Sequence, residues 1–376
     1  MVLKYKQTQN LLICLIDLMD KRMNVKTFMV MAGGTGGHIF PALAVAQILQ
    51  EKGHRIIWLG SEGAMETRLV PQYGITLETL AFKGIRGNGL KRKLLLPITL
   101  SKTVYTACHL LKKHHIDMVI GFGGFVTVPG GIAARLCRLP IIIHEQNAIV
   151  GLSNKILSYF AKQVLYAFPN AFQHSEGLVG NPVRSDIAAL PIPEQRFKHR
   201  QGVLKILIVG GSLGADALNQ IVPQAIALLP ENQRPEIVHQ SGRNKVEALQ
   251  QTYAKLGIKA NCVEFISDMV SAYRESDLVI CRAGALTIAE LTAAGIGAFL
   301  VPFPHAVDDH QTMNAGFMVN HHAALLMPQK TLTAQSLMKE LAVLTREDCM
   351  KMAVQARALA QPDSAYNVAR IALANL

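Results

Sequence analysis

Two series of short apolar runs, separated by longer amphipathic stretches, constrain this chain more than any other feature. The first series is Thr27–Ala32, Arg55–Leu59, Asp117–Gly121, Pro140–His144 and Gln163–Ala167. The second is Lys205–Val209, Glu236–His239, Cys262–Phe265, Leu278–Cys281 and Ala298–Val301. Continuous apolar strands alternating with helical periods predict parallel sheets covered by helices on both faces. Each series opens alike, with a strand, a Gly-rich loop and a helix: VMAGGTGGHIFPALAVA, then ILIVGGSLGADALNQI. Between them GNPVRSDIAALPIPEQRFKHRQG, rich in Pro and charge, reads as a linker near residues 182–203. At 376 residues, and roughly 100–200 per domain, the expectation is two doubly wound α/β domains facing across a cleft.

Composition excludes some classes. No apolar run approaches the roughly 18–20 residues of a membrane span, although a mean hydropathy of +0.24 leaves peripheral membrane contact open. The formal charge of +12 suits anionic lipid, phosphorylated substrates or nucleic acid. The excess is local: from Thr79 to Ile116 there are eight basic residues and no acid. Aromatics are only 6% and no recognition motif interleaves with that zone, so no nucleic-acid partner is expected. Six cysteines without a CxxC argue against a disulfide framework or zinc site and for a reducing cytoplasm. Residues 1–22 read as an extension, either a mis-assigned start with Met23 the true one or a short appended helix.

Gly-rich loops before helices expose amides to phosphate. GGTGG lacks both the Lys-Ser/Thr of a phosphate-binding P-loop and the GxGxxG spacing of a dinucleotide loop, and a tight turn without ligand is the plain alternative. The second loop, Gly210–Gly214, at the equivalent place in the other half, favours ligand binding. His38 opens the first helix, where open α/β sheets place their ligands, and suits a proton acceptor. GFGGFVTVPGG at 121–131 and HEQNAIVGLSNK at 144–155 also follow strands, the polar groups lining a site or capping a helix. In CRAGALTIAELTAAG, the amides at Ala285, Leu286 and Thr287 face a first turn and Glu290 suits two ribose hydroxyls, or merely complements the helix dipole. Asp308, Asp309, His310, Gln311 and Asn314 are dense enough in polar groups for a sugar; the paired acids could hold a metal, but no DxD spacing occurs and none is expected.

Seven stretches in order, GGTGGHIFPALA, GFGGFVTVPGG, HEQNAIVGLSN, GNPVR, GGSLGA, CRAGALTIAE and PHAVDDHQTMNA, resemble the bacterial cell-wall N-acetylglucosaminyltransferases that convert lipid I to lipid II. The resemblance runs from about residue 25 onward; residues 1–22 have no counterpart. It implies a GT-B fold of two Rossmann-like domains: an acceptor and membrane-facing domain over 23–183, a UDP-GlcNAc domain over 184–360, and a C-terminal helix at 361–376 that packs on either. It implies an inverting hexosyl transfer without cofactor, from UDP-GlcNAc to the muramyl 4-hydroxyl on undecaprenyl diphosphate. Residue by residue, it assigns Ser212 and the amides of Ala285, Leu286 and Thr287 to the diphosphate, Ile288 and Ala289 to substrate binding in the same turn, Glu290 to the ribose and the Ile266 backbone to uracil. Gln311 and His310 would read the sugar, Arg184 and Asn147 complete the donor pocket, and Thr35, Gly36 and Gly37 border the reaction centre. His38 is the expected general base and Glu145 the second candidate.

The polyprenyl acceptor places the chain at the cytoplasmic face of the inner membrane, as a peripheral protein of peptidoglycan synthesis with cell-wall and division proteins as partners. Lys91, Arg92, Lys93, Leu94 and Leu95, where cations abut apolar residues, are the expected contact with the anionic surface; a solvated helix pair is the alternative. Two other functions fit the same architecture: a UDP-GlcNAc 2-epimerase and a non-catalytic membrane-bound UDP-sugar sensor.

Overall fold

The computed structural model describes residues 25–82, 96–169, 171–172, 175–211 and 213–376. Within them the apolar runs form strands β1 (Thr27–Met31), β2 (Arg55–Ser61), β3 (Thr76–Leu80), β4 (Met118–Gly121), β5 (Ile141–Glu145), β6 (Gln163–Tyr166), β7 (Lys205–Val209), β8 (Glu236–Gln240), β9 (Asn261–Val263), β10 (Leu278–Cys281), β11 (Gly297–Leu300) and β12 (Ala324–Leu326). All residues of β4, β5, β10 and β11 are buried, as strands covered on both faces require. β3 and β12 escape the sequence reading because TLETL is half polar and ALL is only three residues long; both lie at sheet edges.

The first six-stranded sheet has the order β3-β2-β1-β4-β5-β6 and the second β12-β11-β10-β7-β8-β9. Renumbered from its own first strand and read backwards, the second order equals the first. β1 pairs in parallel with both β2 and β4, and β7 with both β8 and β10, so strand order reverses at β1/β4 and at β7/β10. A ligand crevice is expected outside the carboxyl ends of those pairs. The halves also share a device at the other end of the sheet. The Asp117 carboxylate accepts the Thr27 N–H at 2.8 Å, and the Asp277 carboxylate accepts the Lys205 N–H at 2.9 Å.

By contact the chain divides into two compact units, one of Met1–His144, Leu152–Val164 and Ala369–Leu376, the other of Glu145–Gly151 and Leu165–Val368. The linker expected near 182–203 therefore lies within the second unit. Its Pro and charge conceal Val183, Ile187, Leu190 and Phe197, which are buried in that unit's core. The C-terminal helix Ser364–Ala374 begins among second-unit residues and ends among those of the first. No helix among the described residues is long and apolar enough to cross a membrane. The extension at 1–22, the basic zone's Lys91–Leu95 and Ser212 lie outside the described residues.

Candidate active site

In the first unit, β1 runs into Gly33 and Gly34, then into the helix Gly36–Glu51. Thr35 caps that helix in an extended conformation, its carbonyl accepting the N–H groups of His38 (3.1 Å) and Ile39 (3.3 Å). No acid occupies the first turn, so the positive end of the helix dipole is uncompensated by its own residues. The loop after β4 lies against this one backbone to backbone. A Cβ on Gly124, whose φ is +89°, would sit 2.5 Å from the Gly33 carbonyl oxygen, and one on Gly123 would sit 3.0 Å from the His38 ring. Glycine is needed here for both the close approach and the left-handed backbone. The crevice at β1/β4 thus brings Thr35, Gly36, Gly37 and His38 together, with the half-buried imidazole laid on Gly123.

Glu66 holds this loop from below, and the sequence offered no sign of it. Its buried carboxylate accepts Gly34 N–H at 3.3 Å through one oxygen and Ser61 N–H at 2.8 Å through the other. It is a positioning residue for the loop, tying the ends of β1 and β2.

In the second unit the segment 145–151 folds around Glu145, only 1% exposed. Its Oε1 accepts from Asn147 N–H (2.9 Å) and Asn147 Nδ2 (3.2 Å), and its Oε2 from Gly151 N–H (3.0 Å). Those bonds make Glu145 the anchor of the loop and lend nothing to a role as base. Buried Asn314 extends the network: its Oδ1 accepts Ala148 N–H at 2.9 Å, and its Nδ2 donates to Ala283 O at 3.2 Å and to Asn147 Oδ1 at 3.4 Å.

At the β7/β10 crevice, Gly214 is pressed on Ser241, the residue after β8. A Cβ on Gly214, φ +73°, would run into the Ser241 carbonyl. Across the reversal, the helix Ala285–Ala294 starts after Gly284 with no side chain capping it. Its first ladder bond is Ile288 N–H to Gly284 O at 3.0 Å. The amides of Ala285, Leu286 and Thr287 therefore have no partner in the helix ladder and point out of its first turn. Ile288 and Ala289, expected as substrate-binding in the same turn, lie in or beyond the first ladder bond, and Ile288 is core.

One turn on, Glu290 Oε2 accepts the Tyr273 hydroxyl at 3.0 Å. Burial pushes the Glu290 carboxyl above its ordinary range, while the nearby Arg184 charge and the Tyr273 hydroxyl pull it back. Arg184, half-buried, has its Nε 3.9 Å from Asp186 Oδ1. The Ile266 N–H is already given to Gln240 Oε1 at 3.2 Å, so pairing with a base edge falls to its carbonyl. Gln240 also donates to Gly211 O at 2.9 Å, joining the two loops.

After β11, the Gln311 carbonyl accepts Phe303 N–H at 2.9 Å, which leaves its amide NH₂ to meet a hydroxyl. Beside it, His310 is half-buried at the start of the helix His310–Val319. Asp308 and Asp309 take left-handed backbone, φ 54° and 51°, and Asp309 Oδ1 accepts the Thr312 hydroxyl at 2.8 Å. Arg282, unremarked in the sequence, donates to the carbonyls of Val301 (3.1 Å) and Pro302 (3.2 Å) and stacks 5.5 Å from the Phe303 ring centre. Among the described residues no group of three or more His, Cys, Asp or Glu gathers to hold a metal ion.

Residues 28–166 match the glycosyltransferase family 28 N-terminal domain, and residues 205–368 the family's C-terminal domain. A Neisseria gonorrhoeae protein named UDP-N-acetylglucosamine–N-acetylmuramyl-(pentapeptide) pyrophosphoryl-undecaprenol N-acetylglucosamine transferase is 67% identical over 352 residues, 94% of this chain and 99% of the relative. The like-named Cupriavidus metallidurans protein is 51% identical over 93% of this chain and 98% of its own. Among solved structures, Acinetobacter baumannii MurG superposes with a TM-score of 0.82 at 44% identity, over 92% of this chain and 99% of that one. With two like-ordered parallel sheets and both domain matches in register, this chain is a GT-B protein and belongs to glycosyltransferase family 28.

Proposed function

We propose that the chain is a hexosyltransferase that moves GlcNAc from UDP-GlcNAc to the muramyl 4-hydroxyl of undecaprenyl-diphosphate-linked MurNAc-pentapeptide, forming lipid II from lipid I. Relatives named for that activity, alike along almost their whole length, support it. The structural observation that carries it is the uncapped turn at 285–287 with Glu290 and Arg184 beside it. Aligned amides at a helix start can take up the charge of a departing diphosphate. Neither the 2-epimerase nor the sensor finds support among these relatives.

In this reading Ser212 and the amides at 285–287 hold the diphosphate, Glu290 takes the ribose hydroxyls and the Ile266 carbonyl the uracil edge. Gln311 and His310 read the sugar, with Arg184 and Asn147 completing the donor pocket. The loops at 33–37 and 121–124 offer amides to the acceptor's diphosphate, with Thr35, Gly36 and Gly37 bordering the reaction. As the sugar's C1–O bond to UDP breaks, the acceptor oxygen bonds C1 from the opposite face, and its proton passes to the His38 imidazole. UDP leaves with the bonding pair. The deciding experiment is transfer of labelled GlcNAc from UDP-GlcNAc to a prenyl-diphosphate muramyl acceptor, with and without chelator; a 2-epimer formed from UDP-GlcNAc alone would refute the reading.

Glu290 gives this pocket a pH signature. Only the ionised carboxylate accepts two hydroxyls, and its carboxyl is held above the ordinary range by burial. Donor affinity should therefore weaken as pH falls, starting above the usual carboxylate range. Arg184→Ala removes an opposing charge and should move that limb to still higher pH. Glu290→Gln should raise the Kd for UDP-GlcNAc by about ten- to a hundredfold, the weight of one hydrogen bond to a charged group. Calorimetric titration across pH reads all three, and a pH-flat affinity would remove Glu290 from the ribose.

The acceptor's polyprenyl tail calls for a membrane-facing surface, at the cytoplasmic face of the inner membrane in this reading, alongside cell-wall and division proteins. Lys91, Arg92, Lys93, Leu94 and Leu95 are the proposed contact, and just beyond them Ile98 and Tyr105 are exposed on the helix Leu96–Lys113. Each cation near an anionic leaflet contributes about 1 kcal/mol. Replacing Lys91, Arg92 and Lys93 by Glu should weaken sedimentation with anionic vesicles about a hundredfold; unchanged binding would place the contact elsewhere.

A further inference from the structure

The second unit carries a cavity that no step of the transfer uses. It is an open depression of about 610 Å³ and lies where the strands begin: Lys205 opens β7 and Asp277 directly precedes β10. The candidate active site is at the opposite, carboxyl ends. Arg196, Arg200, Lys205, Arg274 and Arg346 line the cavity with the carboxylates of Glu275 and Asp277, and Lys205 Nζ also lies 3.5 Å from Glu236 Oε2 behind the lining.

Asp277 is fully buried and already shared. Arg200 Nη1 lies 2.5 Å from its Oδ1, and Arg346 Nη2 lies 3.3 Å from its Oδ2. One carboxylate thus serves two guanidinium groups. Arg196 donates to main-chain carbonyls, those of Tyr273 at 3.1 Å and of Gly295. Burial and the like charges of Arg200 and Arg357 push its pKa down to about 10. The cluster is short of negative charge. Exposed Arg274 and His199 stand at its rim, while Arg200 and Arg346 are held from behind by main-chain carbonyls.

We propose that this cavity is a further anion site, separate from the donor pocket and from the loops offered to the acceptor's diphosphate, that takes a phosphate-bearing ligand. A concave surface with more cations than acids focuses its potential inward, and guanidinium forks match phosphate oxygens. The half-buried arginines Arg196, Arg200 and Arg346 set the field; Arg274 and His199 make the direct contacts.

The test uses the full chain saturated with UDP, so that the donor pocket is filled, and titrates inorganic pyrophosphate calorimetrically. A further binding event is expected. Arg274→Glu combined with His199→Glu should weaken it at least tenfold while UDP affinity and GlcNAc transfer stay unchanged. Arg274→Gln, which alters one exposed side chain, should shift it the same way. No pyrophosphate binding in the presence of UDP, or binding indifferent to these changes, overturns the proposal. Vesicles of phosphatidylglycerol and of phosphatidylcholine distinguish the ligand's source. An anionic-vesicle affinity that falls at least tenfold with the double change assigns the site to a lipid headgroup. An unaltered one, with pyrophosphate binding lost, assigns it to a soluble phosphate.

Discussion

His38→Ala should cut turnover about 10²- to 10⁴-fold, the usual contribution of a positioned general base, while leaving the Kd for UDP-GlcNAc nearly unchanged. The split follows from where the groups stand. The imidazole opens the helix Gly36–Glu51 and rests on Gly123, in the first unit's crevice. The groups assigned to nucleotide and sugar, namely the amides at 285–287 with Glu290, Gln311 and the Ile266 carbonyl, all belong to the second unit. Removing the ring takes away the proton acceptor and leaves that set intact. The loop beneath it should also survive, because Glu66 holds Gly34 through its backbone and not through His38. Equilibrium titration of donor against single-turnover rate separates the two quantities. A donor Kd that rises in step with the lost rate would end the base assignment.

What could be read in advance, and what could not, divides along physical lines. The III of IIIHE and LVIC declare themselves because parallel strands buried on both faces are read as continuous apolar runs. TLETL does not, since an edge strand has only one neighbour to satisfy. Gly-rich loops were legible as turns between strand and helix, yet nothing local shows that Gly124 is glycine because the Gly33 carbonyl passes beside it. The same gap hides Glu66 and Gln240, and hides the bonds of Asn314, which the sequence shows only as one of a polar group suited to a sugar. A buried polar side chain owes its value to a partner remote in sequence: Ala148 and Asn314 are 166 positions apart. Polarity alone suggests only that such a residue lines something. Composition misleads in the other direction at 182–203, where four spaced apolar residues sufficed to fix a Pro-rich segment to the second unit's core. A residue's type and the strand it follows locate a site; its task is set by contacts across the fold.

Glu145 is the sharpest case, because its type and place fit a base and its contacts fit an anchor. Its two oxygens take three N–H bonds from Asn147 and Gly151 in a setting almost without water. Hydrogen bonds to a charged acceptor contribute about 1.5–3 kcal/mol each. Glu145→Ala should therefore destabilise the segment 145–151 by about 3–5 kcal/mol. Because Ala148 N–H and Asn147 Oδ1 are joined to Asn314, which also bonds Ala283 just before the 285–287 turn, the disturbance should reach the turn proposed to hold the diphosphate. The expected result is a weaker UDP-GlcNAc Kd together with a lower unfolding midpoint. Glu145→Gln should do much of the same, since its NH₂ would confront an N–H where an oxygen is required. A base would behave otherwise: either change would lower the chemical step alone, with donor affinity and stability untouched. Measuring Kd, single-turnover rate and thermal midpoint on both variants therefore decides between His38 and Glu145 as the proton acceptor, and a pure rate defect in Glu145→Gln would reverse the assignment.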